Sequence, residues 1–137
     1  MRWIVKVLIG GTTYLGMDNI LVDSIIDGAV LKFDTIDEAK MAIDDFIKVY
    51  DTQDNDNFYE ENRQKFETVL YSAELQRELE KDRFVLGDHA VIDRDGDAHT
   101  GSELINNEKI VELLNEMDRQ IKELLYKENL YLEGVVQ

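Results

Sequence analysis

Neither cysteine nor proline occurs anywhere in the 137 residues. Without cysteine there are no disulfides, thiolate metal sites or cysteine nucleophiles, and without proline no Pro-marked linker divides the chain. Basic residues are scarce as well. Against 15 Lys and Arg stand 30 Asp and Glu, a formal charge of −15 and a pI near 4.4. Such a surface repels phosphate backbones, which excludes ordinary nucleic-acid binding, and it offers no basic patch to anionic lipid. No apolar run approaches 18 residues and no secretory-signal pattern opens the chain, so a cytoplasmic protein with no membrane partner is expected. Hydrophobic residues make up 44% of the sequence, enough for the core of a single domain over 1–137.

Hydrophobic periodicity predicts an α+β fold: a small antiparallel sheet packed with about three helices, the last of them long. Residues 2–9 are rich in β-branched and aromatic side chains and end at Gly10-Gly11, a strand and its turn, with a returning strand at 12–15. Residues 20–26 are apolar but ambiguous, and 29–33 read as a further strand after Gly28. Thr35 followed by Glu38 has the spacing of a capping box. Ile36, Ala39, Ile43, Phe46, Ile47 and Tyr50 then recur on one helical face, which completes a meander-plus-helix module over residues 1–50. Residues 51–57 hold no apolar side chain and read as a loop. A helix is expected over 58–82, a β-hairpin over 83–101 and a helix over 106–129. In the last, Ile110, Leu114, Met117, Ile121 and Leu124 form the seam of a short coiled coil or bundle, through which a homodimer could form.

Charge is distributed unevenly. Residues 1–33 and 63–83 are each neutral overall, whereas residues 34–62 carry ten acidic and two basic side chains, a net of −8. Asp37, Asp44 and Asp51 stand seven residues apart, about 10.5 Å per step on a helix. Glu38 and Asp45 run beside them, and Asp54, Asp56, Glu60 and Glu61 prolong the band. Crowding of this kind costs stability by self-repulsion. It is a solubilising surface, a band imitating a nucleic-acid backbone, whose duplex form offers one charge per roughly 1.7 Å of axis, or a cation-binding cluster. Phe58-Tyr59 beside it has the composition of an interface anchor.

Catalytic and metal-binding patterns are weak. Asp93-Arg94-Asp95-Gly96-Asp97 with Glu103 has the carboxylate content of a calcium loop but not its spacing, and reads as a turn. His89 and His99 flank that turn and, with Asp93 or Asp97, make up a donor set for zinc or iron, but nothing else supports a site and isolated hairpin histidines read as surface residues; no nucleophile-elbow pattern surrounds Ser102. Gly10-Gly11-Thr12-Thr13 lacks a phosphate-loop lysine. The expectation is a non-enzyme with no catalytic residues, no metal and no cofactor.

The runs Trp3-Ile4-Val5-Lys6-Val7, Thr13-Tyr14-Leu15 and Ala29-Val30-Leu31-Lys32-Phe33-Asp34-Thr35-Ile36-Asp37-Glu38-Ala39-Lys40 resemble a small module of phage and mobile-element proteins of Gram-positive bacteria. In size and acidity the chain is similar to anti-CRISPR and other anti-defence inhibitors, several of which imitate DNA. That resemblance implies an inhibitor whose protein partner has a basic groove, such as a CRISPR effector nuclease, inside a bacterial host cell. Charge clustering alone nominates Asp37, Glu38, Asp44, Asp45, Asp51, Asp54, Asp56, Glu60 and Glu61 as its partner-binding residues. The alternative is an oligomeric structural or adaptor protein acting through the C-terminal seam.

Overall fold

The β-branched and aromatic run Trp-Ile-Val-Lys-Val produces the strand on which the sheet is built, β1 (Trp3–Val7). The computed structural model describes residues 2–80 and 107–132 of the chain. Gly10 and Gly11, both at positive φ (68° and 136°), turn the chain back into β2 (Thr13–Leu15). After a single turn of 3₁₀-helix at 17–19 comes the two-residue β3 (Leu21–Val22). The segment expected as a strand at 29–33 joins the sheet only through isolated bridges, Gly16 to Val30 and Trp3 to Phe33.

The first helix, α1 (Ile36–Asp54), begins as its sequence predicts, with Thr35 Oγ1 accepting the Glu38 backbone N–H at 3.1 Å. It ends later than expected. Asn55 takes the left-handed conformation (φ 51°) and closes the last turn, its N–H reaching the carbonyls of Asp51 and Thr52. Asp51 and Asp54 therefore belong to the helix and not to a loop.

The helix expected over 58–82 is four elements. A four-residue α2 (Phe58–Glu61) and a 3₁₀ turn at 63–65 lead into β4 (Phe66–Leu70), and α3 (Tyr71–Glu80) follows directly. Phe-Glu-Thr-Val-Leu fits a helical stripe and an alternating strand equally well in isolation. Antiparallel pairing with β1 over five residues, from Trp3 opposite Leu70 to Val7 opposite Phe66, decides it. The four-stranded antiparallel sheet has the order β3-β2-β1-β4. With α4 (Asn107–Leu132) as the long C-terminal helix, the fold is α+β.

Contacts group the chain into two units, Met1–Glu74 with Lys127–Gln137 and Leu75–Tyr126. In the first, Val5, Val7 and Leu15 meet Ala39, Ile43, Phe46 and Ile47 of α1 and Phe66 of β4 in one apolar cluster. An aromatic group closes its end: Tyr59 stands edge-on to Phe46 at 5.1 Å and packs against Phe66 at 6.2 Å. In the second, Arg119 is paired on the α4 surface with Glu116 and with Glu123, and Leu75, Leu114 and Ile121 are buried. The hairpin expected at 83–101, the turn at Asp93–Asp97 with Glu103, His89, His99 and Ser102 all lie outside the described residues.

Candidate functional site

Helical geometry divides the acidic residues of α1 into two flanks. At about 100° per residue, Asp37, Asp44 and Asp51 fall along the side that meets β4 and the turn before it, whereas Glu38 and Asp45 point straight outward. Two side chains on the β4 flank, Asp44 and Asp51, have internal work. Arg63 pairs with Asp44, and its Nη2 donates to Glu60 Oε2 at 2.8 Å. Glu60 first, then Asp44, hold the guanidinium well above its ordinary pKa. Asp51 accepts the backbone N–H groups of Tyr59 and Glu60 at 3.0 and 2.9 Å, so it caps α2 from the neighbouring helix.

That cap resolves a local conflict. Carboxylates in the last turn of a helix face the negative end of its dipole, and α1 has no basic residue there. The free N–H groups at the start of α2 offset that penalty for Asp51. They also seat Tyr59 against Phe46, while burial raises the Tyr59 hydroxyl pKa, with smaller contributions from Tyr50, Asp54 and Asp51.

Of the nine nominated side chains, Asp51 is half-buried and the other eight are exposed. Asp44, Asp51 and Glu60 are engaged as described, and Asp56 accepts the N–H of Asn57 at 2.7 Å. Asp37, Glu38, Asp45, Asp54 and Glu61 make no ion pair among the described residues, so the unpaired acidic surface is narrower than clustering suggested. A concavity of about 370 Å³ at the end of α1 is lined by Asp51, Thr52, Asn55, Asp56 and Asn57. Among the described residues no three His, Cys, Asp or Glu side chains converge as metal ligands, and no helix is long and apolar enough to cross a membrane.

On the C-terminal seam, Leu114 and Ile121 are already buried within the single chain, and Met117 and Leu124 are half-buried. Ile110 lies in the α4 backbone, its side chain outside those described. The pattern continues to an unexpected occupant: seven residues after Ile121 stands Glu128, only 1% exposed.

Sequence reasoning missed the polar groups on the sheet face opposite α1. There Arg2 Nε donates to both oxygens of Glu128, at 3.1 and 3.0 Å, and its guanidinium lies 4.7 Å from the Tyr131 ring centroid. Lys6 pairs with buried Glu74 at 3.3 Å, and the Tyr14 hydroxyl donates to the same carboxylate at 3.0 Å. Lys32 stands over the Tyr71 ring at 4.8 Å, and burial lowers its pKa. The one available signal was a glutamate at a core-spaced position of α4. Its partner is 126 residues away, and nothing local announces it. Neither a family model, nor a curated protein, nor a solved structure matches this chain.

Proposed function

We propose that this protein is a non-enzymatic inhibitor that occupies the basic groove of a nucleic-acid-handling protein, with a CRISPR effector nuclease as the leading candidate. The observation that carries the reading is the outward face of α1. A 19-residue helix, about 28 Å long, displays Glu38 and Asp45 with Asp37 beside them, exposed and without ion pairs among the described residues. Fixed carboxylates on a rigid rod generate the kind of field that a channel lined for a heteroduplex attracts. Association would be fast and strongly salt-dependent, because the contact is steered by charge.

The test uses a purified guide-loaded effector nuclease of a Gram-positive host and follows DNA cleavage against added protein. Wild type is expected to inhibit at 50 mM salt and to lose potency at 300 mM. Glu38→Gln/Asp45→Asn/Glu61→Gln, which leaves Asp44, Asp51 and Glu60 in place, is expected to inhibit at least about tenfold more weakly, the loss of roughly 1.4 kcal/mol of binding. Equal inhibition by both proteins would move the contact off this face, and none by either would remove the nuclease as target.

A further inference from the structure

The outward face of α1 is not uniformly acidic. Met41, Asp45 and Val49 succeed one another at four-residue steps, and Met41 is 64% and Val49 46% exposed. Beside Val49 runs a groove of about 660 Å³ lined by Asn19, Asp45, Lys48, Val49, Thr52 and Gln53. Its far wall is the β2–β3 turn, tied to α1 by the Tyr50 hydroxyl, which donates to the Asn19 carbonyl at 2.7 Å.

That turn is held in a costly shape. Asp18 and Asn19 are consecutive non-glycine residues at positive φ, 60° and 57°, a conformation disfavoured by about 1 kcal/mol or more per residue. The Gly16 N–H closes it on the Ile20 carbonyl at 2.7 Å. A Cβ at Gly16 would stand 3.0 Å from that oxygen and 3.1 Å from the Ala29 carbonyl. The outcome is that Met17 and Ile20, which bracket Asn19 in the chain, are more than half exposed. Val49 lines the groove itself, and Met17, Ile20 and Met41 are exposed on the turn and the helix that bound it, in a surface that also carries the acids Asp18, Glu38 and Asp45 and the cation Lys48.

We propose that this groove is the anchor of the interface, seating an apolar side chain from a Lys- or Arg-rich segment of the partner. Charge selects this occupant. A second copy would bring the same acidic rim and a net −15 of its own, like charge against like. An uncharged apolar segment would leave Asp18 and Asp45 unanswered. A segment with an apolar side chain and cations a helical turn away satisfies both, with the Lys48 stem adding apolar wall. A packed apolar centre inside a charged rim is also where binding energy concentrates in interfaces. The inference rests on the partner being basic, as proposed above, and adds which residues hold it.

Three probes test it by amide NMR shifts in 50 mM salt: a 14-residue amphipathic Leu/Lys peptide, an oligolysine of equal charge, and a Leu/Ser peptide of equal apolar content. The Leu/Lys peptide is expected to shift Asn19, Ile20, Val49 and Gln53 and to bind at least about tenfold more tightly than oligolysine. Ile20→Ser/Val49→Ser, both at exposed positions, should erase that advantage and leave oligolysine binding unchanged; Val49→Ser alone repeats the test on the helix. Equal affinity for Leu/Lys and oligolysine, or an advantage surviving in the double variant, would overturn the groove and leave the charge reading standing. Leu/Ser binding as tightly as Leu/Lys would overturn the basic occupant. Binding of neither cationic peptide would overturn both readings.

Discussion

Tyr71 shows how one side chain reports on its surroundings. It is 2% exposed at the start of α3, with Lys32 over its ring and Arg2 5.8 Å from the ring centroid. Burial, with Glu128 adding to it against Arg2, pushes its hydroxyl up to about 12. An unfolded chain releases that proton near pH 10. Between pH 10 and about 12 the folded state therefore binds one more proton than the unfolded state, and stability falls as pH rises, by at most about 1.4 kcal/mol per pH unit from this group. Its contribution is fully present below pH 10. Tyr71→Phe is expected to flatten the alkaline limb of a urea-midpoint profile by that one-proton slope relative to wild type. Parallel alkaline limbs for wild type and Tyr71→Phe would rule out Tyr71 as their source.

Among the elements, α2 depends most on something outside itself. Four residues cannot sustain a helix alone, and Asn57 at its start contributes no side-chain cap. Asp51 of α1 supplies the acceptor. Asp51→Ala is expected to cost about 1–2 kcal/mol and to loosen Tyr59 from the aromatic cluster, whereas Asp45→Ala, exposed and unpaired among the described residues, should stay within about 0.5 kcal/mol. Denaturant midpoints of the two variants decide it; equal midpoints would mean that Asp51 caps nothing. The same elements show what sequence could convey. The start of α1 was legible because Thr35 and Glu38 act over three residues and its apolar face repeats. The identity of 66–70 was not, because pairing with β1, more than 60 residues earlier, decides between two periods that fit Phe-Glu-Thr-Val-Leu alike. Acidic clustering correctly located an exposed surface. It could not separate Asp45, unpaired among the described residues, from Asp44 and Asp51, since Arg63 and the α2 amides come from elements whose apolar spacing reads as one long helix.

At the scale of the whole molecule, cations in short supply are spent on structure. Arg2 and Lys6 neutralise the buried Glu128 and Glu74, and Arg63 binds two carboxylates of the acidic band. Each buried pair is neutral, so burying them leaves the exposed remainder with the chain's whole excess of negative charge, −15 in all, and its mutual repulsion opposes folding. Salt acts unequally on these two populations. Screening shortens to about 8 Å at 0.15 M from about 30 Å at 0.01 M, which relieves repulsion across the exposed carboxylates. Pairs holding a glutamate that is 3% or 1% exposed are screened far less, and the exposed Arg63 pairs are worth at most about 1 kcal/mol to begin with. Relief therefore outweighs loss, and the melting temperature is expected to rise from 10 to 150 mM NaCl. Glu38→Gln/Asp45→Asn/Glu61→Gln should start higher at low salt and rise less, because three of the repelling charges are gone and no internal pair is touched. A melting temperature that is flat or falls with salt in wild type would mean that repulsion on this surface is not what limits its stability, and the acidic face would then carry no folding cost for a partner's charge to relieve.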